Sequence, residues 1–306
     1  MSQRVGENLW VKRDDLTHPR YGGNKARKLA HVLPDAARRG ARRLVTLGAV
    51  GSHHVLATAL FARDAGLPVL AGLFPQERSA HVVEVARATL AAGVDVRAAG
   101  SPRQALVALA KSLRRGDLLL PPGGSSVAGV HGYVGAAHEI AAAVAGGDAP
   151  LPDVIVVATG SGGTVAGLAL GLAATRLRTR VLAVSVVDPP LLAHAAVRAL
   201  IAQSAFATPA LARAALALVD FEDRFLGIGY GAPTAAGSDA SEEATARGLG
   251  SDATYTAKAF AAAIALSRTG KTVLYVHTLS AAPMAPLLVG APAERDLPRA
   301  IASLLV

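Results

Sequence analysis

The sequence predicts an α/β protein of two domains, each with a mostly parallel sheet flanked by helices. Three observations carry this reading. Short β-rich apolar runs alternate with Ala-rich segments of helical spacing. The alternation forms two series, separated by Gly146-Gly147-Asp148-Ala149-Pro150-Leu151-Pro152, which reads as a loop. The chain has 306 residues, enough for one large or two medium domains with real cores.

The expected strands are 44–47, 69–74, 94–97, 118–120, 154–157, 181–187 and 273–276. Between them the expected helices are 24–39, 53–65, 81–92, 103–114, 127–145 and 164–174, with further helices at 209–219 and 235–249. Aromatic residues make up only 4% of a chain that is 52% hydrophobic, so the core must be aliphatic. No cysteine is present, which excludes disulfides and thiolate metal sites. The uncharged stretch between Asp153 and Arg176 could span a bilayer by length. Its four-residue break at 160–163 divides it into strand, loop and helix, so no membrane span is expected. The N-terminus runs into Lys12, Arg13, Asp14 and Asp15, so no signal peptide is expected and the location reads as cytoplasmic.

The formal net charge is +9, and 25 of the 31 basic residues are arginine. They are scattered, with no basic stretch interleaved with aromatics, so the charge reads as solvated surface rather than a nucleic-acid site. The six lysines are more informative, because arginine replaces lysine as a charge but not as an amine nucleophile.

Four motifs carry chemistry. Gly160-Ser161-Gly162-Gly163-Thr164 lies between a buried strand and a helix. Such a turn can cradle an anion on backbone N–H groups, or can simply be tight. It is not a dinucleotide fingerprint, since Val165 stands where a third glycine belongs, and no Walker lysine follows. The second motif is Lys12-Arg13-Asp14-Asp15-Leu16 followed by Gly22-Gly23-Asn24-Lys25-Ala26-Arg27-Lys28. Lys25 would sit in a first helical turn, where the helix dipole favours the neutral amine that Schiff-base chemistry needs. The alternative is a charged, solvated helix start.

The third motif, Gly48-Ala49-Val50-Gly51-Ser52-His53-His54, is another strand–glycine–helix turn. It is not a nucleophile elbow, because Val50 replaces the required glycine, and the adjacent histidines lack a third metal ligand at a sensible spacing. His138-Glu139 is not a zinc-protease motif, since position 142 is Ala142; no metal site is expected. The fourth group is Tyr230, then Tyr255-Thr256-Ala257-Lys258, then His277-Thr278, each of which alone reads equally well as structural.

Taken in order, KRDDL, GGNKARKL, GAVGSHH, PPGGSS, GVHGY, ATGSGGTVAGLALGL, GYGAP, YTAKA and VLYVHT resemble the pyridoxal-phosphate-dependent family of D-cysteine desulfhydrase and 1-aminocyclopropane-1-carboxylate deaminase. The resemblance runs from Leu9 to about Thr278. It implies the fold type II, tryptophan-synthase-β-like architecture, with a discontinuous large domain of residues 1–29 and 135–306 and a small inserted domain of residues 30–134. It implies that Lys25 holds the cofactor covalently and that residues 160–164 hold its phosphate. It further places Ser52 by the substrate carboxylate and Cα proton, Tyr230 and Tyr255 in the active site, and Thr256 at the pyridine nitrogen. Asn24 and His53 complete the implied cofactor set. A homodimer and a small amino-acid substrate are also implied.

The chain departs from the family at Gly51 and His53, where glutamine and asparagine are usual, and at Leu279 and Ser280, where two glycines are usual. The expected reaction is β-elimination with deamination, giving an oxo acid and ammonia. The alternatives are racemisation or elimination on a larger amino acid, and a cofactor-binding protein with little catalysis whose pocket His53, Leu279 and Ser280 close. Thr256 and Thr278 follow the desulfhydrase branch, because the deaminase branch has an acid and a leucine there. Borohydride treatment of the purified, coloured protein is expected to fix the chromophore on the peptide containing Lys25. Label on Lys28 or Lys258 instead would overturn that assignment.

Overall fold

The computed structural model describes residues 2–306. In chain order the elements are β1 (Ser2–Arg4), β2 (Leu9–Lys12), α1 (Asn24–Arg38), β3 (Arg43–Ala49), α2 (His53–Asp64), β4 (Val69–Phe74), α3 (Ala80–Ala91), β5 (Asp95–Ala98) and α4 (Pro102–Ser112). They continue with β6 (Asp117–Leu119), α5 (Val127–Ala145), β7 (Val154–Thr159), α6 (Gly163–Thr175), β8 (Arg180–Ser185), α7 (Pro190–Ser204) and α8 (Pro209–Ala217). The last are β9 (Val219–Glu222), α9 (Ala235–Ala246), α10 (Thr256–Ser267), β10 (Val273–Val276) and α11 (Arg299–Ala302).

The chain forms two compact units. The larger contains the residues up to Lys28 and 125–282; the smaller contains 29–124 and 283–306. The larger unit has a six-stranded sheet in the order β1-β2-β10-β7-β8-β9, parallel except for β1. The smaller has an all-parallel sheet in the order β5-β4-β3-β6. Parallel strands are buried on both faces, which is why 154–157 and 69–73 read as continuous apolar runs. One face of the large sheet packs against α5 and α6 through Val130, Tyr133, Val165 and Leu168; the other packs against α9 and α10 through Ala240, Phe260 and Ala263.

Apart from Leu29, which falls in the smaller unit, these bounds differ from the sequence expectation in two places. Residues 125–134 join the larger unit, because α5 already starts at Val127 and buries Val130 and Tyr133 in that core. Residues 283–306 join the smaller unit, where Leu297, Ile301 and Leu304 pack with Val50, Val55 and Leu73. The tail is also pinned through Gln76, whose N–H donates to the Leu304 carbonyl at 3.0 Å. The stretch expected as helix to residue 219 ends at Ala217, and Val219 opens β9. Elements β1, β2, α7, β9, α10 and α11 were not among the expected ones. Among the described residues, no helix is long and apolar enough to cross a membrane.

Where β2 ends, the KRDDL segment builds an ion cluster. Asp14, fully buried, accepts from Arg27 Nη2 at 2.8 Å and from the Tyr133 hydroxyl at 2.9 Å, with Lys12 Nζ at 3.3 Å. Glu139 on α5 takes both Arg27 terminal nitrogens at 2.8 Å and Lys12 Nζ at 2.6 Å. The cluster therefore ties β2, α1 and α5 at one point. Burial opposes the Glu139 charge, but hydrogen bonds from Arg27 and Lys12 outweigh it and hold the carboxyl at about 2, against an ordinary 4.5.

Breaking a buried pair by deleting one partner costs about 3–5 kcal/mol, and Asp14→Ala is expected to fall in that range in urea unfolding. Glu139 is half exposed, so its loss costs less. A carboxyl held low in the folded state stabilises above its ordinary 4.5, and that stabilisation is lost as pH falls toward 2. The stability deficit of Glu139→Gln is thus expected at pH 7 and should shrink between about pH 5 and 2. A deficit that stays constant across that range would contradict the assignment.

Candidate active site

The site is assembled within the larger unit, where β2, β10 and β7 run parallel and present their carboxyl ends together. Ligands in open parallel sheets bind beyond such ends. The turn before α1 is threaded through a space that admits no side chain. A Cβ on Gly22 would lie 2.0 Å from the Asp15 carbonyl oxygen, and one on Gly23, at φ +83°, 2.4 Å from that of Thr278. Gly23 N–H donates to the Asp14 carbonyl at 2.8 Å, and Asn24 N–H to the Thr278 carbonyl at 3.1 Å. Gly22 N–H donates to Ser280 Oγ at 2.9 Å. The Ser280 hydroxyl, which in one alternative reading would help close the pocket, braces the turn and also accepts from Ala282 N–H at 3.2 Å.

Held by that turn, Lys25 donates from Nζ to Asn24 Oδ1 at 2.7 Å, and Nζ lies 5.9 Å from the centre of the Tyr255 ring. The side chain is partly accessible, but the atoms packed about the amine desolvate it. That burial lowers its pKa from 10.5 to about 8, against a weaker opposing pull from Asp252.

The glycine loop lies between β7 and α6. Gly162 has φ +82°, and a Cβ there would stand 2.8 Å from the Val197 nitrogen. Gly163 N–H donates to Ser125 Oγ at 3.2 Å, and Ser125 Oγ lies 2.8 Å from Ser161 Oγ. Lys28, buried, donates to the same Ser125 oxygen at 3.1 Å. Burial, and secondarily the neighbouring Lys25, push the Lys28 amine well below the lysine range. Asn24 Nδ2 reaches Thr164 Oγ1 at 3.5 Å, joining the lysine turn to the loop. The Thr159 hydroxyl, buried at the end of β7, has no hydrogen-bond partner. A glycine loop opening a helix, a buried amine beside it and an orphaned hydroxyl before it are a donor set that fits a phosphate.

Opposite Lys25, α10 begins. Asp252 accepts from Tyr255 N–H at 2.7 Å and from the Thr256 hydroxyl at 2.7 Å, so it caps the helix and fixes Thr256. The Tyr230 and Tyr255 hydroxyls are 3.0 Å apart, with the rings edge to face. Burial raises both phenols above the ordinary range, Tyr255 far above it. Burial lowers the amine of Lys258, whose Nζ donates to the Leu226 and Gly229 carbonyls.

The larger unit therefore brings together Asn24, Lys25, Gly160, Ser161, Gly162, Gly163, Thr164, Tyr230, Tyr255 and Thr256. Ser52 and His53 belong to the smaller unit. Ser52 caps α2, accepting from Val55 N–H at 3.4 Å, and His53 Nε2 stands 2.9 Å from His81 Nε2. Sequence reasoning missed Lys28, Ser125 and Asp252 as site residues. Lys28 was legible: three residues after Lys25 on one helix, it shares that face. Ser125 and Asp252 carry no local pattern that separates them from any other loop serine or helix cap.

Residues 1–278 match the profile of a family described as pyridoxal-phosphate dependent enzyme. The chain is 33% identical to a D-cysteine desulfhydrase of Salmonella choleraesuis over 275 residues, 86% of this chain and 82% of that protein. It is 41% identical to the D-cysteine desulfhydrase of Yersinia pestis over 182 residues, 56% of this chain. In that match, as in several others, the chain spans little more than half the relative's length, here 54%. A crystal structure of a 1-aminocyclopropane-1-carboxylate deaminase homologue superposes with a TM-score of 0.75 at 30% identity, covering 92% of this chain and 88% of that one.

The Lys25 amine is expected to react with a carbonyl or sulfonate reagent with a midpoint near pH 8. Rate of labelling of the Lys25 peptide against pH, read by mass spectrometry on cofactor-free protein, checks this. A midpoint above about 10, the ordinary lysine range, would show that the amine is not desolvated.

Proposed function

The chain belongs to the family of pyridoxal-phosphate dependent enzymes, and from that premise we propose that it is a lyase acting on a small β-substituted amino acid, releasing an oxo acid and ammonia. The observation that carries the proposal is the Lys25 amine, desolvated and placed between a phosphate cradle and two tyrosines. Bound pyridoxal phosphate supplies the electron sink for chemistry at the substrate's Cα and Cβ.

The protein's own groups would do the rest. With a pKa of about 8, roughly a tenth of Lys25 is neutral at pH 7, against about one part in three thousand for an ordinary lysine. That neutral fraction would hold the cofactor, and the amine would serve as the base that accepts the substrate's Cα proton. The loop N–H groups of 160–164, with Lys28 as the cation, would hold the phosphate. Tyr230 and Tyr255 stay protonated and share one hydroxyl contact, so they can donate a hydrogen bond to a departing group.

Thr256 would face the ring nitrogen, with the Asp252 carboxylate one hydrogen bond behind it. A carboxylate at that remove retains a ring proton less firmly than one in direct contact. The arrangement therefore favours expulsion of a good leaving group such as thiolate over opening of a cyclopropane. The pairing of His53 with His81, where the family has asparagine, favours a second reading: racemisation, or elimination on a larger amino acid. The resemblance also supports a homodimer, and the charged N-terminal stretch a cytoplasmic location.

Oxo-acid and ammonia release from β-chloroalanine and from D- and L-cysteine should exceed that from aminocyclopropane carboxylate, and Lys25→Ala should lower it by about 10²–10⁴-fold. Preference for the cyclopropane substrate would refute the leaving-group argument. Silence on all four, with racemisation of an amino acid, would favour the second reading.

A further inference from the structure

Lys258 is fully buried, yet the reaction outlined above gives it nothing to do. Its place in the fold is specific. It lies three residues after Tyr255, near the start of α10, and its Nζ donates to two main-chain carbonyls: Leu226 at 2.7 Å and Gly229 at 3.0 Å. One carbonyl immediately precedes, and the other lies within, the loop Gly227-Ile228-Gly229-Tyr230-Gly231, which delivers Tyr230 to Tyr255.

That loop has little else to hold it. Gly227, Gly229 and Gly231 all have positive φ, at +68°, +137° and +81°, values that few other residues adopt and that glycine leaves freely. Ile228 is 93% exposed and Tyr230 49% exposed. The backbone makes turns at 227–228 and 230–231, but among the described residues no backbone–backbone hydrogen bond of good geometry starts or ends between Gly227 and Pro233. On entropy alone such a segment would sample many conformations. A buried ammonium is costly unless it is hydrogen-bonded, so its two carbonyl partners are held as firmly as it is. An ammonium suits the place better than a guanidinium, being a compact point charge with three freely rotating donors. Here a chain with 25 arginines and six lysines uses lysine.

We infer that Lys258 is a positioning residue that staples the 226–231 loop to α10, so that the Tyr230 hydroxyl meets the Tyr255 hydroxyl. Helix α10 then grips Tyr230 twice, by the loop backbone through Lys258 and by the phenol through Tyr255. The inference rests on the reading that Tyr230 serves the reaction, and the test separates the two.

Four proteins are compared: the parent, Lys258→Met, Tyr230→Phe and the double variant. Amide hydrogen exchange of cofactor-free protein reads the staple. Lys258→Met is expected to speed exchange at 227–231 at least tenfold while leaving β7 and β8 unchanged. Turnover of β-chloroalanine by the loaded enzymes reads the consequence. Lys258→Met should lower kcat/KM about as far as Tyr230→Phe, and the double variant should be no worse than Tyr230→Phe alone. Because the chain contains no cysteine, Lys258→Cys can be aminoethylated at that one position after unfolding, and refolding should restore both readouts. Should Lys258→Met not fold, Lys258→Gln carries the same comparison, keeping a donor but losing the charge and the reach. Unchanged loop exchange would overturn the staple. A double variant worse than either single one would overturn action through Tyr230. A loosened loop with Tyr230→Phe fully active would leave the staple standing and remove Tyr230 from the reaction.

Discussion

The buried carboxylate of Asp14 is the fixed point of the larger unit. It has no exposed surface, and it is tolerable there because Arg27, Tyr133 and Lys12 all donate to it or stand beside it. Its own backbone carbonyl receives Gly23 N–H, so the group that fixes β2 against α1 and α5 also fixes the turn that starts α1. Lys25 comes two residues after Gly23. A shift in the ion cluster would therefore move the amine. The turn cannot relax by admitting side chains, because the carbonyls of Asp15 and Thr278 fill the places where a Cβ would go.

Around that point the protein sorts three lysines by what surrounds each amine. Lys25 is desolvated but within the pull of Asp252, which leaves it at about 8 and able to exchange its proton near neutrality. Lys28 is fully enclosed beside the glycine loop, where an arriving anion would supply the opposite charge that favours its protonated form. Lys258 faces carbonyl dipoles and is occupied as a donor. One residue type thus serves as nucleophile, counter-ion and strut, and the difference lies in partners rather than in the side chain. Asp252 links the set: it caps α10, holds Thr256 and adds the one nearby negative charge felt by both Lys25 and Lys258.

Legibility of the fold followed periodicity. Strands such as β4 and β7 and helices such as α5 could be read because apolar runs of strand length alternate with longer Ala-rich segments between glycine breaks. Helix α10 escaped notice because residues 256–264 are all buried, and a helix buried all round shows no polar face. Strands β1 and β2 are three and four residues long, too short for any period. Residues 283–306 are Pro-rich and irregular, with only short helical turns at Ala285–Leu288, Glu294–Asp296 and Arg299–Ala302, so nothing local says which unit they cover.

By itself the sequence determined the α/β class, the glycine loop before α6, and the candidate amine at Lys25, because each depends on residue type and near-neighbour spacing. Family membership was legible for the same reason, in the order of short motifs. What only the tertiary structure decided is the company those residues keep. The desolvation of Lys25, the convergence of Lys28 and Ser125 on the loop, the carboxylate behind Thr256, and the grip of Lys258 on the Tyr230 loop all join residues 25 or more positions apart, or depend on burial that no local pattern encodes. The exception is the Asp252–Thr256 pair, four residues apart, whose meaning appears only once α10 is seen to face Lys25. Desolvation and long-range hydrogen bonding are properties of packed neighbours, and packing brings together parts of the chain that local spacing keeps separate.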